Sequence, residues 1–152
     1  MAHSHDIRLF HIENSLRKVE YVKRESVDKN TEAIDTEKVF IPKGYGAGET
    51  VPHQILGVPE YGGSKSVCSQ SYLYAAFGSE NEARNFIPDL KTKFFRLLIL
   101  SVKISQDAMS KVYRFVPVQD FSKPWTDEEL YEKYGLTDEE INFIEATIKP
   151  ME

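Results

Sequence analysis

Fourteen residues from Lys91 to Ile104, KTKFFRLLILSVKI, constrain this chain more than any other stretch, because eight of them are apolar: Phe94, Phe95, Leu97, Leu98, Ile99, Leu100, Val102 and Ile104. At about 100° per residue they cover nearly the whole circumference of a helix, so the pattern predicts a long central helix buried on most sides. Asn85, Asp89, Arg96, Lys103 and Asp107 fall within about 40° of one another on the same wheel, with Lys93 beside them. That stripe reads as one solvated edge of the core helix or, more sharply, as an edge along which Arg96 and Lys103 face a ligand. The run is too short and too charged to span a membrane.

The elements around this helix follow from local signals. Ser79 with Glu82 three residues on reads as a capping box that starts the helix, and Pro88 predicts a kink or a stop and restart. Ile7–Ile12 suits a short strand or a helix start, and Leu16–Lys23 (LRKVEYVK) alternates as a half-exposed strand does. Asp28–Thr36 reads as a short helix or loop. Lys38–Pro42 (KVFIP) predicts a buried strand limited to a sheet edge or strand end by Pro42. Ser66–Cys68, Ser71–Phe77 and Val112–Val118 read as further strands. Thr126-Asp127-Glu128-Glu129 and Thr137-Asp138-Glu139-Glu140 each open a helix, and Gly135 ends the first of the two, giving a C-terminal helical hairpin. The expectation is an α+β fold: a small mixed or antiparallel sheet of about five strands, one long central helix and the hairpin. Residues 1–125 would form the α+β body and residues 126–152 an acidic hairpin packed on it.

Between the strands lies Lys43–Lys65, KGYGAGETVPHQILGVPEYGGSK, which holds six of the eight glycines. A long irregular segment inside a domain is more often functional than idle. Its Gly44-Tyr45-Gly46-Ala47-Gly48 is not a phosphate-binding loop, since the terminal Gly-Lys-Ser/Thr is missing and no convincing helix follows.

The formal charge is −5, but it is unevenly spread. Residues 126–152 carry nine Asp/Glu and two Lys, a net −7, which leaves the preceding 125 residues at net +2. An autonomous nucleic-acid binder usually shows the opposite sign, so the net charge favours a protein-interaction module, although an acidic C-terminal segment on a mildly basic body describes the chain better than its total. Cys68 is the single cysteine, which excludes an internal disulfide or a cysteine-rich zinc site and favours a reducing, cytoplasmic compartment. No signal-peptide-like apolar run opens the chain. His3, His5 and His11 belong to what reads as a poorly ordered, vector-like start rather than a metal site. There is no Ser/His/Asp, HExxH or Cys/His set. Glu60 with Asp89 and Lys91 imitates the acidic-pair-plus-lysine arrangement of Mg²⁺-dependent nucleases, as a weak alternative.

Three blocks carry a resemblance: KVFIPKGYGAG; SVCSQSYLYAAFGSENEARNF; and LKTKFFRLLILSVKISQDAMSKVYRFVPVQDFSKPWTDEELYEKYGLTDEEINFIEATIKPM. In this order they resemble the C-terminal target-recognition region of adenine-specific DNA methyltransferases of bacterial restriction-modification systems. The Asn-Pro-Pro-Tyr-type motif and the Gly-rich S-adenosylmethionine loop of such enzymes are not present. The resemblance therefore implies a specificity domain with no cofactor of its own, S-adenosylmethionine belonging to a separate catalytic domain. It implies two partners: double-stranded DNA, and a methyltransferase or restriction catalytic domain or subunit. In such systems the catalytic domain flips the adenine while the recognition domain reads base edges. On that reading Lys43 and Lys65, flanking the Gly-rich loop, would meet phosphates. Tyr45, His53 and Gln54 within it would reach bases, and Arg96, Lys103, Lys111 and Arg114 would be further backbone contacts. The alternatives are a protein-interaction module docking on a restriction-modification subunit, and the divergent nuclease.

Overall fold

The structure is a computed structural model that describes residues 6–43, 50–102 and 117–151. Six strands are described: β1 (Ile7–Glu13), β2 (Leu16–Val22), β3 (Glu37–Pro42), β4 (Glu60–Tyr61), β5 (Ser66–Cys68) and β6 (Tyr72–Phe77). Four helices accompany them: α1 (Glu80–Lys91), α2 (Lys93–Val102), α3 (Asp127–Lys133) and α4 (Asp138–Thr147). The class is α+β, as expected, with one strand more than the expected number. The extra strand is β4, a two-residue piece at the end of the Gly-rich segment, too short to leave an alternation in the sequence. The strand expected over residues 112–118 lies almost wholly outside the described residues, and its last two, Pro117 and Val118, have no regular structure.

The strands form two three-stranded sheets, ordered β2-β1-β5 and β4-β3-β6. In the first, β1 pairs antiparallel with β2 and parallel with β5; in the second, β3 pairs antiparallel with both neighbours. A two-residue turn, Asn14 and Ser15, joins β1 to β2 with both residues at positive φ (52° and 63°), as a primed hairpin turn requires. Strand β3 is the centre of the molecule. Phe40 turns toward the first sheet, where it meets Phe10 and Tyr72; Val39 and Ile41 turn the other way, onto Ala83, Leu90, Phe95 and Ile99 of α1 and α2. The layers therefore run from the first sheet through the second to α1 and α2. Beyond these, α3 and α4 close over Phe94 with Leu130, Tyr131 and Ile144. The acidic hairpin thus packs on the helical layer, and the β1–β2 ribbon lies on the opposite flank.

The single long helix is corrected by the structure. The chain stays helical through Pro88 and breaks instead at Thr92, whose backbone is extended (φ −63°, ψ 148°). Thr92 Oγ1 donates to Asp89 O at 2.7 Å and accepts from Phe95 N at 3.1 Å, ending one helix and capping the next. The Asp127 carboxylate then accepts from Lys93 N (3.1 Å) and Phe94 N (2.9 Å), so a side chain of α3 satisfies two more orphan donors of α2. With the helix broken there, Asn85, Asp89 and Arg96 share no continuous wheel. Asp89 and Arg96 are buried, and Asn85 donates to Phe121 O at 2.8 Å. The expected polar edge does not exist among the described residues.

The hairpin follows its signals closely. Thr137 and Glu140 form a reciprocal capping box, whereas Thr126 and Ser79 accept from the N3 amide alone. Gly135 sits at φ +62°, with Gly135 N bonded to Glu132 O and Leu136 N to Tyr131 O, the paired bonds of a Schellman ending.

Candidate functional site

The Gly-rich segment leaves the body at Lys43, immediately after β3. Lys43 N donates to Ser71 O, which places it beside the turn between β5 and β6, and Ser69 N donates to Phe10 O near the far end of β1. The same end of the two sheets holds the hairpin tip of Asn14 and Ser15, with Arg17 and Lys18 beside it. Arg17 reaches back across the gap, donating to Val58 O at 2.7 Å and pairing with Glu60 at 3.3 Å. Lys18 pairs with Glu13. Gly57 lies where an added Cβ would come within about 3.0 Å of the Pro42 ring, so the returning chain crosses this end closely packed on the end of β3. Lys43, Arg17 and the polar turn Ser69-Gln70-Ser71 therefore gather around the root of the Gly-rich segment, while Lys18 alternates onto the other face of β2. The exposed pairs among them are weak and open to displacement by a stronger anion.

The other expected contacts divide clearly. Lys65 does not share this end. It precedes β5, its carbonyl accepts from Arg8 N, and its ammonium acts on Asp35, near the start of β3. From Lys38 to Lys43 the strand runs about 16 Å, at about 3.3 Å per residue, so Lys43 and Lys65 lie at opposite ends rather than flanking one mouth. His53 and Gln54 are held in place. His53 N donates to Thr147 O (2.7 Å), and His53 O accepts from Lys149 N (2.8 Å). Gln54 Nε2 donates to Leu56 O at 2.9 Å. Ile55 and Leu56 enter the core behind them. The second half of the segment is thus a packed connection, and within residues 50–58 the exposed stretch is residues 50–52. Tyr45, Lys103, Lys111 and Arg114 lie outside the described residues.

Arg96 corrects the sequence expectation most sharply. It is completely buried and cannot reach a phosphate. Its guanidinium donates to Lys91 O (2.8 Å from Nη2), to Thr92 O (3.2 Å from Nε), to Gln54 O (3.2 Å from Nη1) and to Lys149 O (2.8 Å from Nη1). One planar fork ties together the end of α1, the Gly-rich segment and the C-terminal segment. Beside it Ile55 is held at φ +76°, a costly conformation for a β-branched residue that persists only where its surroundings fix it. The periodicity that marks Arg96 as an edge residue holds only for one unbroken helix.

The nuclease arrangement is not assembled either. Glu60 pairs in register with Phe40, on the face toward the first sheet, and accepts from the Tyr72 hydroxyl at 2.8 Å. Asp89 lies across the second sheet, in the helical layer, where burial pushes its carboxyl up to about 7, Lys133 opposing and Asp127 reinforcing the shift. Among the described residues no group of three His, Cys, Asp or Glu side chains could hold a metal ion.

Two further groups carry no signal in the sequence. Lys38 is fully buried, with its ammonium donating to Ala33 O, Ile34 O and Thr36 O at 2.6–3.0 Å, and burial lowers it to about 8. Its three donors are occupied in folding the 31–36 turn onto β3, and nothing in KVFIP signals that. Cys68 lines a cleft of about 410 Å³ between the sheets, with Leu9, Val22, Val27 and Tyr74, but burial pushes its thiol up to about 11, so it is no nucleophile at neutral pH. No described helix is long and apolar enough to cross a membrane. Comparison with known protein families, characterised proteins and solved structures found no match for this chain.

Proposed function

We propose that this chain is the DNA target-recognition part of an adenine-N6 methyltransferase or restriction-modification enzyme, acting with a separate catalytic domain that binds S-adenosylmethionine. The sequence resemblance points to the family. The observation that carries the site is the convergence of Lys43, Arg17, the tip of Asn14 and Ser15, and the Ser69-Gln70-Ser71 turn at the root of the Gly-rich segment. Small residues there allow backbone to approach a duplex closely, lysine and arginine position it through phosphates, and amide and hydroxyl groups meet base edges. Arg96 serves this surface indirectly, by fixing where the segment re-enters the core. The acidic α3–α4 hairpin packs on the helical layer, across the second sheet from the β1–β2 ribbon, where its charge opposes the duplex least.

Fluorescence anisotropy with a pooled duplex library at two salt concentrations tests the reading. Binding should weaken steeply with salt, and Lys43→Ala should flatten the log–log salt slope by about one unit. Lys65→Ala should leave the slope unchanged. A Lys43→Ala protein that binds as wild type does, or a wild type that fails to bind at low salt, contradicts the proposal.

A further inference from the structure

The outer edge of β2 has no strand beside it among the described residues, and all of its residues but Val22 are exposed. Leu16, Val19 and Tyr21 stand 62%, 47% and 61% exposed there, on a strand without proline or bulge, so its guards against edge pairing are the charges of Arg17, Lys18 and Glu20, which an opposed strand of the right register can neutralise. We propose that β2 pairs antiparallel with β2 of a second copy of this chain, about a two-fold axis at Val19, joining the two outer sheets into one of six strands.

The backbone permits this register. Arg8 N donates to Lys65 O and Phe10 O accepts from Ser69 N, so residues 8 and 10 of β1 turn their polar groups toward β5. Ile7, Leu9, His11 and Glu13 then face β2, where they pair with Val22, Glu20, Lys18 and Leu16. By alternation, Arg17, Val19 and Tyr21 direct their N–H and C=O groups outward. Centred on Val19, those three residues oppose Tyr21, Val19 and Arg17 of the second copy, and every outward group finds a partner in about six new hydrogen bonds.

The side chains select the same register. Leu16 falls opposite Val22 of the second copy, Arg17 opposite Tyr21, Lys18 opposite Glu20 and Val19 opposite Val19, so each cross-strand pair is apolar, cation–aromatic or oppositely charged. Neighbouring two-fold registers fail. Centring on Arg17 sets Arg17 against itself, on Lys18 sets Lys18 against itself, and on Glu20 sets Glu20 against itself, each a like-charge pair directly opposed. Centring on Tyr21 shortens the ladder and places Lys18 against Arg24. Lys18 is now in an exposed pair with Glu13, and Glu20 reaches the largely buried His11 at 3.4 Å from its own exposed position; an opposed strand can replace both partners.

Sedimentation equilibrium of the full chain over a wide concentration range is the test. The wild type should show a monomer–dimer equilibrium. Lys18→Glu alone and Glu20→Lys alone should each be monomeric at concentrations where the wild type dimerises, both keeping the wild-type circular dichroism since both sites are exposed. Mixing the two variants should restore a one-to-one dimer, because the charges at positions 18 and 20 are then again opposed by their opposites, and the double variant Lys18→Glu/Glu20→Lys should dimerise with itself. A wild type monomeric throughout, a dimer indifferent to both single changes, or a mixture that stays monomeric would each overturn the proposal. The assay contains no DNA, so its outcome is independent of the recognition reading.

Discussion

Replacing Arg96 with methionine should unfold the molecule far more readily while leaving its surface untouched. The substitution keeps an unbranched side chain of comparable reach but removes the guanidinium from four carbonyls: Thr92 O and Gln54 O keep backbone donors in Arg96 N and Leu56 N, whereas Lys91 O and Lys149 O lose the donors that hold them. Each buried acceptor left unpaired costs about 1–3 kcal/mol. Two such acceptors give about 2–6 kcal/mol, and relief from burying a guanidinium offsets part of that sum, leaving a net loss of about 2–4 kcal/mol. At about 2–4 °C per kcal/mol for a chain of this size, Tm should fall by roughly 4–16 °C. The loss should also be local before it is global: with Gln54 released, the strained Ile55 has less to hold it, and amide exchange should accelerate first around residues 53–56. Arg96→Lys should recover only part of the stability, because an ammonium cannot span the four acceptors as a planar fork does. Urea denaturation followed by circular dichroism, with amide exchange, measures both effects. An Arg96→Met protein within about 1 kcal/mol of wild type, well below the expected loss, would refute the strut. Such a result combined with weakened DNA binding would reinstate Arg96 as a phosphate contact.

Other substitutions test the surrounding account. Asp89 is protonated in the fold at pH values where the unfolded chain has already lost its proton, so stability from this group declines as pH rises from about 4 to about 7. Asp89→Asn should therefore leave stability at pH 4 nearly unchanged and raise it by about 2–4 kcal/mol at pH 8, measured by denaturation at both values; an equal effect at both pH values contradicts the assignment. Gly62→Ala would drive a Cβ into the fully buried Phe40 ring, closer than 3.0 Å to three of its atoms, and should cost about 1–3 kcal/mol in the same assay, whereas Gly57 faces only Pro42 and the end of Arg17. Asp127→Ala frees the amides of Lys93 and Phe94 and should cost about 1–2 kcal/mol, with faster exchange confined to those two amides as its signature.

The fold is legible where one residue type enforces one local geometry. Thr137 with Glu140, Gly135 at positive φ and Ser79 before α1 are readable because caps and left-handed turns are settled within a few residues. The break at Thr92 is not, because the donors it exposes are taken by Asp127, 34 residues beyond Lys93 in sequence. Pro88 is the obvious breaker by type, yet a proline can be carried inside a helix once tertiary contacts hold it. The candidate site is half legible. Glycine content marks the segment, and Lys43 stands at its root. That His53 and Gln54 are stitched to the C-terminal segment, and that Lys65 lies at the other end of β3, depends on pairing that no local pattern encodes. The Asn14-Ser15 turn between two apolar runs is the signal that could have placed Arg17 beside the site.

Backbone amide shifts during titration with a short non-specific duplex locate the DNA contact without presupposing any residue. Perturbations should appear at residues 14–18, at Lys43 and at residues 69–71, with Lys65, Arg96 and the α3–α4 hairpin unmoved. Perturbations concentrated on Lys65 or on the hairpin, or none at low salt, would contradict a recognition surface at the root of the Gly-rich segment.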